Sequence, residues 1–302
     1  MRRLFLIANP VAGRGAALRA RSEVRAGLER AGVEHDIALT RAPGEAVELA
    51  RAASRQGWDA VVAVGGDGTV HEVANGVLDA AEVAMGVVPA GSGNDFAFAA
   101  GIPGSIPKAL QVLLDGRPTP VDAGRVCDRW FVNGVGIGLD ARVAIEANRA
   151  RRLRGIAMYL HALARVLRSY TPPRLRVEVD GVLWMDEAAT LLTIGNGPRQ
   201  GGGFRMNPSA RIGDGMLHLC GCGALGTLRI LRFLPYTLRG THVGLEGVRC
   251  TTGQRIQVTS PDPLAVHADG EIVAEHAAAV AIRLQPGRLS LLTPPAQDGR
   301  RG

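Results

Sequence analysis

The sequence predicts an α/β domain with a parallel sheet, followed by a second, mostly antiparallel β-rich domain. Three observations carry this. At 302 residues the chain exceeds a typical single domain. Up to about residue 125, short apolar runs alternate with helix-periodic segments, the pattern of β-α-β units. Beyond that point strand-like runs separated by Gly, Pro or Asp turns dominate. The expected division is 1–125, 126–293 and a disordered tail, 294–302.

In the first part, Leu4–Ala8 reads as a buried strand ending at Asn9-Pro10. A helix follows over roughly Ala16–Ala31, closed by Gly32. His35–Leu39 is a second strand, ending at Thr40, and Gly44–Gln56 a second helix. Asp59–Val64 is a third strand, and it opens into Gly65-Gly66-Asp67-Gly68-Thr69. In the helix after Gly68, Val70, Val73, Ala74, Val77 and Leu78 form one apolar stripe. Thr69 and Glu72 fit a capping box at its start. Val83–Val88 is a fourth strand, ending at Pro89.

In a parallel sheet with right-handed crossovers, ligands bind beyond the carboxyl ends of the strands. Asn9, Thr40, Gly65–Thr69 and Pro89–Asp95 all follow strands and are expected together on that edge.

In the second part, strands are expected at Arg129–Asn133, Leu175–Val179, Thr190–Ile194, Met216–Leu219, Arg255–Thr259, Leu264–His267, Ile272–Glu275 and Val280–Leu284. One long helix, roughly Ala141–Ser169, interrupts them. No internal repeat is visible.

Composition narrows the class. Hydrophobic content of 46% suffices for ordinary cores. The net charge of +7 favours anionic partners, but Lys108 is the sole lysine among 35 basic residues, a bias typical of a GC-rich genome. Aromatics at 4% are too sparse for a base-stacking nucleic-acid surface, so no nucleic-acid partner is expected. Cys127, Cys220, Cys222 and Cys250 lack metal or redox spacing and read as buried or partly buried free thiols. Neither a signal peptide nor a transmembrane span is evident, which points to a soluble cytoplasmic protein.

The glycine loop carries the chemistry. Glycines let backbone N–H groups close on a phosphate at a helix N-terminus. Asp67 would repel that phosphate unless a divalent cation intervenes, or unless it orients an attacking hydroxyl. Both alternatives point to phosphoryl transfer. A second loop, Pro89-Ala90-Gly91-Ser92-Gly93-Asn94-Asp95, lies one β-α-β step further on. Two neighbouring Gly loops, each with an Asp and a hydroxyl (Thr69, Ser92), make a phosphate-plus-metal cradle. Gly134–Gly138 lacks dinucleotide-fingerprint spacing, and no Walker motif occurs. Alone, Arg211–Met216 and Asp269-Gly270-Glu271 each read as turns.

Taken together, these segments resemble the bacterial diacylglycerol kinase-like lipid kinases, related to sphingosine and ceramide kinases. The matches are Asn9–Gly13, Gly65–Glu72, Pro89–Asp95, Asn133–Ala141, Gly195–Pro198, Gly201–Phe204, Ile212–Leu217 and Asp269–Glu271, in order over nearly the whole chain. His71 and Ser92 are mild departures from the family pattern.

The resemblance implies an ATP-binding catalytic domain, a lipid-substrate domain and an active site in the interdomain cleft. It implies that Glu271 is the base for a lipid hydroxyl, with Asp269 in support, although related sphingosine kinases leave Asp67 as the alternative. The implied nucleotide site comprises Asn9, Pro10, Thr40, Gly65, Gly66, Asp67, Gly68, Thr69, Val70, His71, Gly91, Ser92, Gly93, Asn94 and Asp95. Asp67 and Asp95 would position Mg²⁺ and phosphates. A structural Mg²⁺ is implied at Asp214, with the carbonyls of Arg211 and Met216.

The implied reaction moves the γ-phosphoryl group of ATP to a lipid hydroxyl, foremost diacylglycerol. The enzyme would meet its lipid peripherally, at the inner face of an anionic membrane. The basic run Arg149–Arg154 is the candidate attachment patch. A homodimer is compatible with the sequence. The competing readings are an NAD kinase, which shares the Gly-Gly-Asp-Gly loop, and a catalytically silent lipid-binding module.

Overall fold

The computed structural model describes residues 2–80, 83–149 and 155–295. The chain forms two compact units, 1–121 with 287–302, and 122–286.

In the first unit, four strands pair in parallel in the order β2-β1-β3-β4: β1 (Arg3–Ala8), β2 (Glu34–Leu39), β3 (Ala60–Gly65) and β4 (Ala84–Pro89). The parallel sheet expected from the alternating pattern is therefore present. β3 and β4 are buried along their whole length, which explains their unbroken apolar runs. The helices between strands are α1 (Ala16–Arg30), α2 (Glu45–Ala53) and α3 (Asp67–Ala80). Two further helices, α4 (Asp95–Ala99) and α5 (Ile106–Asp115), follow β4. Close helix packing depends on glycines. A Cβ on Gly27 of α1 would lie 2.1 Å from Leu110 of α5, and one on Gly76 of α3 would lie 2.3 Å from the Val47 carbonyl of α2.

The capping box is not formed. α3 starts at Asp67, so Thr69 is already inside its first turn. The Glu72 carboxylate instead accepts the N–H groups of Gly44 (2.9 Å) and Ala46 (3.2 Å), capping the start of α2. α3 lies against α2, and the orphan donors there outcompete Glu72's own helix end.

In the second unit the strands are antiparallel. β5 (Arg117–Val126) enters it and pairs with β6 (Arg129–Phe131). β7 (Gly134–Gly138) is a fully buried strand, so its glycines form no dinucleotide loop. After it come α6 (Leu139–Arg149), α7 (Gly155–Val166), β8 (Arg174–Val179), β9 (Val182–Gly195), β10 (Leu217–Gly223), α8 (Thr227–Arg239), β11 (Val248–Gly253), β12 (Arg255–Ala268) and β13 (Glu271–Thr293). Strand order is β11-β10-β9-β7-β12-β13. β9 and β12 each pair with β7 along one part and with β8 along another. Phe131, Val135, Ile137, Val177, Ile194, Leu219, Val258 and Val266 belong to one core.

Several expected pieces merge or divide. Arg255–Thr259 and Leu264–His267 belong to one strand whose register shifts between Thr259 and Leu264, where Pro261 and Pro263 fall. Ile272–Glu275 and Val280–Leu284 are parts of β13, whose end returns to the first unit and pairs with β4 at Leu291 and Met85. The long helix divides into α6 and α7. One straight rod would hold Val143 and Leu163 roughly 30 Å apart, whereas both join a single cluster with Ile230 of α8. Arg165 of α7 also pairs with Glu146 of α6 at 2.9 Å.

The patch at Arg149–Arg154 and the tail from residue 296 lie outside the described side chains. Cys220 and Cys222 are buried as expected. Cys127 and Cys250 are exposed, because turn and edge positions leave them uncovered, and all four are free thiols. Among the described residues, no helix is long and apolar enough to cross a membrane.

Candidate active site

The two glycine loops of the first unit meet at their backbones. The Ala90 N–H donates to the Gly65 carbonyl at 2.8 Å, extending the β3–β4 pairing into the loops. A Cβ on Gly91 would lie 2.4 Å from Gly66 Cα, so neither position tolerates a side chain without movement. The loop after β1 joins them. Gly13, at φ +56°, would place a Cβ 2.0 Å from the Ala90 carbonyl oxygen. Three strand ends thus converge on one glycine-lined surface, where the expectation for the sheet edge placed them.

Asp67 ties the loops together. The Phe96 N–H donates to its Oδ1 at 3.3 Å, and the amides of Asp95 and Asn94 also favour its anion. The carboxylate therefore caps the start of α4. Burial, and then the charge of Asp95, nevertheless push its pKa up to about 6, and the three amides do not offset them. Asp95 itself is buried. Two carboxylates held this way fit a hard divalent cation, which would relieve their repulsion.

The α3 N-terminus supplies donors. Its first intrahelical bond runs from Val70 N–H to the Gly66 carbonyl at 3.0 Å. The N–H groups of Asp67, Gly68 and Thr69 precede it and form the anion-binding end of a 14-residue helix. The buried Thr69 hydroxyl packs on Gly65, where a Cβ would lie 2.4 Å away. Ser92 is exposed, and Gly93 half-buried beside it. This cradle, which a Cβ would fill, fits a polyphosphate.

The other residues expected to line the nucleotide make contacts within the protein. Val70 and His71 have buried side chains, Val70's N–H is spent inside the helix, and His71 has the Asn75 amide 3.4 Å from its ring. Asn94, at φ +55°, exchanges two 3.0 Å hydrogen bonds with Gly91 and clamps its own loop. Asn9 Oδ1 accepts the Val11 N–H at 3.1 Å and shapes the turn at Pro10. Thr40 is buried, with its N–H on the Ala8 carbonyl.

In the second unit, Asp269 and Gly270 form the two-residue turn between β12 and β13, both at positive φ (51° and 91°). The Asp269 carboxylate accepts three backbone N–H groups: Val132 on Oδ2 at 2.9 Å, Asn133 and Gly134 on Oδ1 at 2.9 and 2.8 Å. It is a clamp on the β6–β7 connection, which the expectation of a supporting catalytic carboxylate did not foresee. Glu271 follows the turn as the first residue of β13 and is exposed.

At Arg211, Asp214 and Met216, where a structural Mg²⁺ is expected, the oxygens of Asp214 and Arg211 accept hydrogen bonds within the protein. Asp214 Oδ1 accepts the Met216 N–H at 3.0 Å, and Oδ2 pairs with His218 Nε2 at 2.8 Å. The Arg211 carbonyl accepts the Gly213 N–H at 2.8 Å. The turn is held by hydrogen bonds, one of them from Gly215 N–H to the buried carboxylate of Asp122 (2.8 Å). Asp122 went unnoticed in the sequence because a lone acid in a strand carries no spacing signal. Asp140 and His267, 2.8 Å apart beside the Glu271 turn, were missed because they lie far apart in sequence.

Comparison with known proteins identifies the family. Residues 3–126 match the diacylglycerol kinase catalytic domain, and residues 133–293 match the YegS C-terminal NAD kinase beta sandwich-like domain. A diacylglycerol kinase of Mycobacterium tuberculosis is 32% identical over 294 residues, covering 95% of this chain and 94% of that one. The chain belongs to the diacylglycerol kinase-like family of lipid kinases. The crystal structure of a diacylglycerol kinase from Bacillus anthracis superposes with TM-score 0.78 at 24% identity, covering 98% of each chain. Yeast NADH kinase complexed with NADH shares the fold more distantly, with TM-score 0.52 at 10% identity over 96% of this chain and 82% of that one. The enzyme is therefore a lipid kinase.

The Asp67 environment gives a signed pH dependence. Its folded pKa lies above the usual 3.8, so its ionisation opposes folding. Stability is given up as pH rises from about 3.8 to about 6, and the loss is complete above that window. In nucleotide-free, metal-free protein, Asp67→Asn should raise the thermal midpoint by several degrees at neutral pH, at roughly 2–8 °C per kcal/mol. The gap should close towards the acid side. A gap that stays constant with pH would contradict this assignment.

Proposed function

We propose that this lipid kinase transfers the γ-phosphoryl group of MgATP to the primary hydroxyl of diacylglycerol, giving phosphatidic acid. The observation that carries the nucleotide half is the joined Gly66–Gly91 cradle at the α3 N-terminus, with Asp67 and Asp95 at its rim. On this reading the first-turn amides hold the phosphates. The cation that accompanies ATP supplies charge neutralisation for the transferring group.

The acceptor half rests on Glu271. Its exposed carboxylate takes the proton of the lipid hydroxyl, whose oxygen forms the new bond to phosphorus as the bond to the leaving ADP oxygen breaks. Transfer requires the hydroxyl held by the second unit to reach the phosphate held by the first. The clamped Asp269 leaves Glu271 as the carboxylate of that turn suited to the base role. Asp67 is the alternative base, although its carboxylate already accepts backbone amides.

We also propose that the enzyme meets its lipid at an anionic membrane surface. The outer face of α8 supports this, with Leu228 (83% exposed), Leu231 and Leu238 uncovered among Arg229, Arg232 and Arg239. α8 contains no acidic residue. A two-fold copy of this face would set its arginines against their own counterparts, whereas anionic headgroups complement them.

Labelled ATP incubated with a mixed lipid extract should yield labelled phosphatidic acid, identified by mass. Glu271→Gln should lower kcat by roughly 10²–10⁴-fold with ATP affinity unchanged. Phosphorylation of NAD with no lipid product would overturn the lipid reading, and full activity of Glu271→Gln would move the base role to Asp67. Reversing Arg229, Arg232 and Arg239 to Glu should weaken sedimentation with phosphatidylglycerol vesicles at low salt by about a hundredfold or more, from roughly 1 kcal/mol per basic residue. Unchanged sedimentation would remove α8 from the membrane surface.

A further inference from the structure

We infer that the buried Asp140–His267 pair is a positioning device for Glu271, acting through the Asp269-Gly270 turn; this rests on the proposed role of Glu271 as base. His267 lies near the end of β12, and Asp140 is the second residue of α6. Their side chains are 6% and 12% exposed, with His267 Nε2 at 2.8 Å from Asp140 Oδ2. On the other side of the ring, the Gly270 N–H donates to Nδ1 at 3.2 Å. These two bonds define the tautomer. Nδ1 accepts, so the ring proton sits on Nε2 and faces the carboxylate.

The surroundings are built around the pair. Gly136 of β7 is the cross-strand partner of His267. A Cβ there would lie 2.2 Å from His267 Nε2 and 2.4 Å from Asp140 Oδ2. Any larger residue at position 136 would displace one partner. Ala141, Ile145, Ala265 and Ile272 form a small apolar cluster next to them in the chain. An ionisable pair there is harder to bury than an apolar pair of equal volume, so packing alone does not account for it.

The turn does not need the histidine in order to form, because Asp-Gly at positive φ is a favoured hairpin turn. The pair fixes where the turn points. Asp269 anchors one side to residues 132–134, and His267 anchors the other through Gly270. Glu271 is the next residue, paired with Ala268 across the turn. A proton-accepting carboxylate displaced by about 1 Å can lose a hundredfold in rate.

Protonation breaks the arrangement. An imidazolium carries a proton on Nδ1 and cannot accept from Gly270. Burial opposes that protonation, but Asp140 on α6 and Asp269 and Glu271 on the turn favour it and raise the His267 pKa above the usual 6.5.

The test uses full-length enzyme, MgATP and diacylglycerol in phospholipid vesicles. His267→Ala and Asp140→Ala should each lower kcat about 10–100-fold with the KM for ATP unchanged, and the double variant should be little worse than either. His267→Asn places an acceptor near the Nδ1 position without a titrating ring. It should recover most of kcat at alkaline pH and lose the acid-side fall that His267 imposes on the parent. Full kcat in His267→Ala, or equal loss in the Ala and Asn variants with matching drops in thermal midpoint, would overturn the proposal. A second measurement needs no substrate: exchange of the Gly270 amide should quicken in His267→Ala and stay slow in His267→Asn. Equal exchange in both would overturn the proposal. If Glu271→Gln keeps full activity, the base assignment fails and the exchange result still judges the pair.

Discussion

The approach of Gly66 to Gly91 governs the first unit's chemistry. Two strand-to-helix connections that lie one crossover apart are brought into backbone contact because neither carries a Cβ. The Ala90–Gly65 hydrogen bond continues the parallel ladder to that contact. Asp67 can then reach from the start of α3 to the start of α4. The result is a surface of backbone amides rimmed by two carboxylates. Its electrostatics are frustrated as they stand, as the raised Asp67 pKa records. A polyphosphate with its cation complements both halves at once: amides for anionic oxygens, carboxylates for the cation.

The second unit solves a different problem. Its long strands turn and pair twice, and its connections carry buried polar groups that must be satisfied. Asp269 takes three amides. Asn196 donates to the carbonyls of Asp122 and Val132 at 2.9 and 2.7 Å, and Asp122 takes the Gly215 amide. Asp269, Asn196 and Gly215 fall in the segments that resemble the lipid kinase family. Their observed contacts shape loops, and Glu271 is the acid of its turn presented to solvent.

The strongly periodic parts of this fold were legible in the residues. β1, β3 and β4 follow from short apolar runs, and α3 from the stripe through Leu78. The site edge followed from topology alone, since loops after parallel strands share one side. What stayed hidden was non-local. Glu72 caps α2 because of how two helices pack, and no local motif could announce that. The division of the α6–α7 segment follows from a shared cluster with α8, a helix whose Pro235 and mixed faces obscure its pattern. Asp269 reads as half of an Asp-Gly turn, but its three amide partners lie about 135 residues away. The same distance in sequence concealed Asp140 and His267. Metal ligation at Asp214 rests on resemblance, and the contact of Asp214 with His218 four residues on was not read from the sequence.

A crystal structure with a non-hydrolysable MgATP analogue tests the cradle most directly. The β- and γ-phosphates should lie against the first-turn amides of Asp67, Gly68 and Thr69, across the Gly66–Gly91 contact, with the cation at Asp67 and Asp95. A triphosphate bound away from these amides, or two loops parted to admit it, would contradict the account.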